Sequence, residues 1–172
     1  MAVVEAIETV YLEADASSVM FSGIPSTYEH LQLRMSIRTQ RTSALDTTRM
    51  RLNGDSVGNY ATHRMYGQTS STAAGGETSV SGMYATGQMP TSVLPPRTMY
   101  GAGLVDILDY NNTNKYTTIL LQSGENDDTY PYVTFGSGLW LSTAAVVTVQ
   151  LYPNSGSDFA RGSEFTLYGI TG

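Results

Sequence analysis

Hydrophobic and polar residues alternate strictly over residues 31–38 of the chain. Leu33, Met35 and Ile37 fall on one side of this alternation, and the residues between them are polar. A period of two residues with one apolar and one polar face is typical of a half-buried antiparallel strand. We therefore predict a strand over residues 31–37, preceded by a turn at Pro25.

The same signals recur along the chain without a convincing helix. Residues 2–12 fit either a helical or a strand spacing, and their β-branched content favours a strand. In residues 145–152 the pattern predicts that Val147, Val149 and Leu151 point into the core. Further strands are predicted over residues 17–21, 49–52, 60–66, 82–89, 103–110, 115–122, 132–141 and 165–170.

About nine to eleven short strands separated by turns are expected of an all-β fold. We predict one antiparallel, jelly-roll-like β-sandwich domain over residues 1–172, in which residues 1–20 form an N-terminal strand that could serve as a docking arm. The length of 172 residues suits a single domain with its own core.

Several connections have their own signals. Asn53-Gly54 predicts a type I′ hairpin that joins residues 49–52 to residues 60–66. Residues 68–78, QTSSTAAGGET, are a Gly/Ser/Thr-rich segment that we expect to be a loop, mobile or bound to a partner. Residues 90–97 hold three prolines and predict a stiff extended crossing. Gly136 and Gly138 indicate a bulge or a close backbone approach within a strand.

Composition narrows the classes of partner and compartment. The chain has no cysteine, so it has neither a disulfide framework nor a thiolate metal site. Its formal net charge of −6 has the wrong sign for a general nucleic-acid binder. The N-terminus lacks the basic segment of a signal peptide, and no apolar run reaches membrane-spanning length. We expect a soluble protein made in the cytoplasm, with neither a nucleic-acid nor a membrane partner.

The basic residues are concentrated although the protein is acidic. Six of its nine bases fall within residues 34–64, and same-face spacing within a strand relates Arg34 to Arg38 and Arg49 to Arg51. Like charges on one face repel unless acids from elsewhere intervene. The alternatives are a solvated outer face of a strand pair and a surface that docks on an acidic partner. The residues we predict for partner binding are Arg34, Arg38, Arg49, Arg51 and Arg64.

Catalytic and cofactor signals are weak. His30 and His63 lack the setting of a nucleophile elbow, and no GxSxG is present. Asp106 and Asp109 have odd spacing in one predicted strand, so they face opposite sides of the sheet. The turn 123–128 holds oxygen ligands that could bind calcium, but it lacks the ordered spacing of a dedicated site. With no nucleotide motif either, we predict a protein without catalytic residues, bound metal or cofactor.

Aromatic residues are frequent, with twelve tyrosines and the single Trp140. They could stack on sugar rings, as in lectin-like modules. Tyrosines are also favoured at protein interfaces, because one end is apolar and the other forms hydrogen bonds. The second interpretation is preferred.

Three segments resemble a family of small structural proteins of tailed bacteriophages. They are FSGIPSTYEHLQLRMSIRT (residues 21–39), RLNGDSVGNYATHRMYG (residues 51–67) and SEFTLYGI (residues 163–170). They match, in order, the family's F-S-x-I-P-x-x-Y-x-x-L-x-L stretch, its N-G-D-x-x-x-N-Y hairpin and its L-Y-G-I ending. The resemblance extends from about residue 10 to the C-terminus.

The resemblance implies a non-enzymatic jelly-roll or related β-sandwich that forms homo-oligomers, often trimers. Some such proteins look like capsid decoration or cement proteins, and others like parts of tail or head fibres. No fibrous or coiled-coil shaft is evident in the sequence, which favours decoration. The expectation is a virion protein that binds the major capsid protein on the outer capsid surface and reinforces it. The alternative is a receptor- or carbohydrate-binding domain of a tail or head fibre.

Overall fold

The computed structural model describes residues 3–93, 99–126 and 131–172. In these residues the chain forms twelve strands that pair antiparallel, and no helix. The strands are β1 (Val3–Tyr11), β2 (Val19–Ser22), β3 (His30–Ile37), β4 (Leu45–Leu52), β5 (Tyr60–Gln68), β6 (Ser71–Val80), β7 (Met83–Pro90), β8 (Gly101–Leu108), β9 (Thr117–Glu125), β10 (Tyr132–Trp140), β11 (Thr148–Pro153) and β12 (Glu164–Thr171).

The strands form two sheets that pack face to face. The large sheet has the order β1-β12-β3-β8-β9-β10-β5-β6, and the small sheet has the order β2-β11-β4-β7. Without β1, β12 and the β9–β10 hairpin, the remaining orders are β3-β8-β5-β6 and β2-β11-β4-β7, the arrangement of an eight-stranded jelly roll. The predicted all-β, jelly-roll-like sandwich is confirmed.

The core lies between the sheets and follows the alternation predicted for β3. Leu31, Leu33 and Ile37 are fully buried, and Met35 is nearly so. Val149 and Leu151 of β11 are also buried, as predicted. Val147 is half-exposed, because β11 begins only at Thr148 and the preceding segment is outside the sheet.

The predicted hairpin at Asn53-Gly54 is wrong, although the turn itself forms. Both residues have positive φ, 52° and 68°. However, β4 pairs with β7 and β11 in the small sheet, whereas β5 pairs with β6 and β10 in the large sheet. The turn therefore passes the chain from one sheet to the other. The Asn53 side chain fixes this passage, since its Oδ1 accepts hydrogen bonds from the backbone N–H groups of Val147 and Thr148.

The prediction of a loop at residues 68–78 is also wrong. Most of this segment belongs to β6, the outer strand of the large sheet, which pairs with β5 through a two-residue turn at Thr69 and Ser70. Thr69 has a φ of 44°, as such a turn requires. The strand has no apolar face, and almost all of its side chains are exposed. β6 is the strand that raises the number above the predicted range.

Two further predictions concern the N-terminal strand and the proline-containing crossing at residues 90–97. β1 pairs with β12 at the other edge of the large sheet and so belongs to the sandwich. Pro90 is the last residue of β7, and the predicted crossing beyond it falls partly outside the described residues. No helix among the described residues is long and apolar enough to cross a membrane.

Candidate functional site

The outer face of the large sheet carries an open groove of about 770 Å3. We call it the large-sheet groove. Its central row of outward side chains follows directly from the strand register, which aligns one residue each from β12, β3, β8, β9 and β10. That row is Thr166, Arg34, Leu104, Gln122 and Phe135. Neighbouring strands lie about 4.8 Å apart, so Arg34 and Phe135 stand about 14 Å apart at opposite ends of the groove.

Arg34, one of the predicted partner-binding residues, forms the polar end of this groove. Its Nε donates a hydrogen bond of 2.9 Å to Gln32 Oε1, and Gln32 Nε2 donates one of 2.8 Å to Asp106 Oδ1. The guanidinium also lies over the Tyr168 ring, 5.1 Å from its centroid. These contacts hold an exposed arginine in one orientation. Its terminal nitrogens make no hydrogen bond to the described residues, so they are free to pair with a carboxylate.

The other end of the groove is apolar. Val133 and Phe135 line this end and are 64% and 46% exposed, and Met65 and Leu120 beside them are 59% and 39% exposed. We call these four residues the apolar patch. Phe135 pairs directly with Met65 across β10 and β5, and the other two lie on the same face of neighbouring positions. Contiguous exposed apolar side chains on a folded domain mark interaction surfaces.

The sequence analysis missed this patch, although β10 contains its signal. Gly136 and Gly138 occupy two inward positions of β10, and the larger residues on either side of them, Phe135 and Leu139, point outward. A Cβ at Gly138 would lie 2.7 Å from Met83 Sδ and 2.8 Å from a side-chain carbon of Ile119. Gly138 therefore marks a close approach of β7 in the small sheet, whereas a Cβ at Gly136 would lie 2.7 Å from the backbone oxygen of His63 on the neighbouring β5. β10 pairs with both neighbours without a register shift. Because the core side of β10 has no room for a side chain at these two positions, the apolar residues of this part of the strand are the outward ones, whereas Trp140 at its end is buried.

The predicted basic strand pair does not form. Arg34 is on β3 in the large sheet, and Arg51 is on β4 in the small sheet, so their side chains leave the sandwich from opposite outer faces. Arg51 donates to the backbone oxygen of Ser81 at 2.8 Å and lies over the Tyr152 ring. Arg38 follows β3 and lies over the Tyr100 ring, 5.2 Å from its centroid.

Arg49 and Arg64 lie beside Tyr84 and Glu77, and these four residues connect the two sheets. We call them the clasp. Arg49 is 9% exposed, and its Nη1 lies 2.7 Å from a carboxylate oxygen of Glu77 on β6. The guanidinium groups of Arg49 and Arg64 lie 3.8 and 4.0 Å from the centroid of the Tyr84 ring. The Tyr84 hydroxyl donates to Glu77 Oε1 at 2.9 Å. The hydrogen bond from Arg49, assisted by that from Tyr84, lowers the pKa of Glu77 despite its partial burial. Arg49 is thus engaged within the fold.

The histidines do not form a catalytic arrangement in the described part of the chain. His30 Nδ1 accepts a hydrogen bond of 2.9 Å from the backbone N–H of Asp109. Glu29, His30 and Asp109 lie close enough together to hold a cation, but the Lys115 ammonium already pairs with Asp109 and lowers its pKa. A bound cation would have to displace that ammonium. His63 is exposed on the outer face of β5.

Two other hypotheses from the sequence concern a calcium-binding turn and the stacking of Trp140 on a sugar. The proposed calcium turn lies partly outside the described residues, and Glu125 within it ends β9 in a buried position. Trp140 is only 3% exposed and stacks on Tyr60 with ring centroids 6.4 Å apart. Its Nε1 donates a hydrogen bond of 2.8 Å to Asp55 Oδ2. Trp140 is therefore a core residue and is unavailable for stacking on a sugar.

No protein-family model matches the chain, and no curated protein matches it. Among solved structures, the galectin LEC-6 of Caenorhabditis elegans is similar over 95% of this chain and 96% of its own, with 6% identity and a TM-score of 0.36. A non-specific endo-β-1,3(4)-glucanase of family GH16 is similar over 88% of this chain and 62% of its own, with 7% identity and a TM-score of 0.26.

Proposed function

We propose that the protein is a non-enzymatic structural protein of a tailed bacteriophage that binds the outer capsid surface as a homo-oligomer and stabilises it. The observation that carries this proposal is the outer face of the large sheet, where the apolar patch and an oriented, exposed Arg34 lie at opposite ends of one groove. Such a face suits a protein partner, since apolar contact supplies affinity and the arginine selects an acidic surface. The class of particle comes from the resemblance of residues 21–39, 51–67 and 163–170.

Residues of the three resembling segments take part in contacts that hold the fold together. Tyr28 of the first segment lies directly over Gly169 of the third, where a Cβ would overlap its ring. Asp55 of the second segment accepts the Trp140 hydrogen bond and one of 3.0 Å from Asn59. The segments thus determine how the sandwich closes.

Stabilisation of a capsid would follow from mass action. A protein that binds the assembled shell and not its separated subunits lowers the free energy of the shell by its own binding free energy. A homo-oligomer presents several copies of the large-sheet groove at once, so a modest contact per copy is multiplied by effective concentration. The interface requires only one complementary acidic and apolar site on the major capsid protein.

The test is the number of copies in purified particles, measured by quantitative mass spectrometry against the major capsid protein. Copies on the scale of the capsid protein support decoration. A few copies per particle contradict it and place the chain at a tail, neck or fibre. Rebinding to particles that lack the protein then tests the surface. Arg34→Glu should abolish binding, whereas Arg161→Glu, at another exposed arginine outside the groove, should not.

The second candidate is a receptor- or carbohydrate-binding domain of a tail or head fibre. The observation that favours it is the hydrogen-bonded row of Asp106, Gln32 and Arg34 on the same face of the large sheet, which offers ordered donors and acceptors at the end of the groove opposite the exposed Phe135 ring. Saturable binding on a glycan array that is lost in Arg34→Glu, together with a low copy number, would favour this candidate over decoration.

A further inference from the structure

The two sheets have four outer strands, and three of them are protected against pairing with another chain. Natural sheets protect their edges by short strands, charges, bulges or covering structure. β2 has only four residues. β1 carries the exposed Glu5 and Glu8 and a register shift between Ala6 and Glu8. β7 is buried along nearly its whole length, and the N–H of its Gly87 donates to Ser123 Oγ at 2.7 Å.

β6 has none of these protections over most of its length. Residues 71–77 pair with β5 without interruption, and the register shift of this pair comes only after Glu77. The segment, STAAGGE, contains no proline and no basic residue. Its single charge, Glu77, is held by Arg49 within the clasp. The side chains of this regular segment are almost all exposed and small, so a second backbone can approach closely.

We propose that β6 of one copy pairs antiparallel with β6 of a second copy, joining the two large sheets about a two-fold axis. The inference rests on the homo-oligomer of the proposed function and names its contact. With the axis at Ala74, the midpoint of the regular segment, each residue meets a small partner: Ala73 faces Gly75, Thr72 faces Gly76, and Glu77 faces Ser71. No charged residue faces another, so the segment is complementary to itself.

The apolar patch next to β6 favours a second copy of this chain as the partner that pairs with the β6 edge. Met65 lies beside Ala74 of its own chain, and a shallow groove lined by both residues and by Phe135 runs along this edge. In the paired sheets, Met65 of one copy and Ala74 of the other would be two strand spacings apart, about 10 Å. The flexible Met65 side chain can extend over Ala74 of its own chain toward the second copy, so pairing borders this apolar groove with the small residues of a second β6 in both copies. A two-fold contact of this kind is complete with two copies, so it gives a dimer and not the trimer that the resemblance implies.

The chain has no cysteine, so a single introduced thiol reports the contact directly. Opposite residues of antiparallel strands have Cα atoms about 4.5–5.5 Å apart, which falls within the range that a disulfide spans. Ala74→Cys should form a disulfide-linked dimer rapidly under mild oxidation. Ala6→Cys on β1 is the matched control and should cross-link only slowly, by random collision. Equal rates for the two variants would overturn the proposal.

The mass in solution provides the second test. Light scattering of the unmodified protein should give twice the chain mass of 18.6 kDa. Ala74→Lys, which places like charges across the axis, should give a single-chain mass with unchanged circular dichroism, and Ala6→Lys should remain a dimer. A single-chain or trimeric mass for the unmodified protein, or a dimer that survives Ala74→Lys, would overturn the proposal. Copy number in particles is measured independently, so either proposal can fail without the other.

Discussion

Asp55 provides the sharpest test of how the sandwich is held together. Its carboxylate accepts hydrogen bonds from Trp140 Nε1 at 2.8 Å, Asn59 Nδ2 at 3.0 Å and the Val57 backbone N–H at 3.1 Å. It therefore links the turn after β4 to the end of β10. Partial burial alone would raise the pKa of Asp55, but these three hydrogen bonds lower it overall. The link should be lost in Asp55→Ala.

The magnitude follows from the groups that lose their acceptor. Hydrogen bonds to a charged group contribute about 1.5–3 kcal/mol, and a buried donor left without a partner costs about 1–3 kcal/mol. Trp140 is 3% exposed, so its indole N–H cannot turn to water, whereas Asn59 and Val57 are more accessible. We expect Asp55→Ala to lower the free energy of unfolding by about 2–4 kcal/mol. Asp55→Asn should cost less, because it keeps one oxygen acceptor.

Urea unfolding followed by the fluorescence of Trp140, the only tryptophan in the chain, measures this change at its site. A double-mutant cycle with Trp140→Phe, followed by circular dichroism, isolates the pair. The reasoning is refuted if Asp55→Ala unfolds at the same urea concentration as the unmodified protein, or if the two substitutions are additive. Because the folded-state pKa of Asp55 is lowered, its contribution is fully present above the unfolded value near 3.8 and is lost as pH falls through the folded value.

Three further predictions concern the clasp, the contact between Gly169 and Tyr28, and the large-sheet groove. Arg49→Met should lower the free energy of unfolding by about 3 kcal/mol, because Glu77 loses a buried partner. Thermal unfolding measures this change. The loss should become smaller at a low pH that protonates Glu77, because Arg49 lowers the pKa of Glu77. Gly169→Ala should cost about 1–3 kcal/mol in urea unfolding by overlap with the Tyr28 ring, and adding Tyr28→Ala should recover part of that loss; a clash-free Gly169→Ala contradicts the contact. Phe135→Ser should weaken particle binding about tenfold or more and leave the free energy of unfolding within about 0.5 kcal/mol of that of the unmodified protein. Unchanged binding in a sedimentation assay would remove the apolar patch from the interface.

Local alternation predicted the orientation of side chains but not which strands pair. Leu33 and Met35 were placed in the core correctly, because their burial depends only on the two-residue period of β3. The turn at Asn53 was recognised from residues that accept positive φ, yet the partner of β4 is decided by contacts almost a hundred residues away. β6 was missed because both of its faces are exposed, so its pairing leaves no hydrophobic pattern.

The candidate site was predictable in part for the same reason. Arg34 was identified because it is an outward residue of a clear strand. Arg49 was grouped with it on spacing, but its partner Glu77 lies in the other sheet and has no sequence signal near Arg49. Gly136 and Gly138 predict a bulge or a close backbone approach, but the sequence pattern around these glycines does not indicate that Phe135 is exposed. Their occupation of the inward positions is what exposes it.

The topology shows how a binding face can be added to a common fold. The polar end of the large-sheet groove comes from Arg34 on β3 and Tyr168 on β12, and Asp106 on β8 holds the Gln32 side chain that orients Arg34. Three of the four residues of the apolar patch lie instead on β9 and β10, the hairpin inserted between β8 and β5 of the jelly-roll order. The eight jelly-roll strands alone would lack this apolar surface. Because folds of this kind host many functions, the inserted hairpin is the part of the chain whose outward residues should decide which partner is bound.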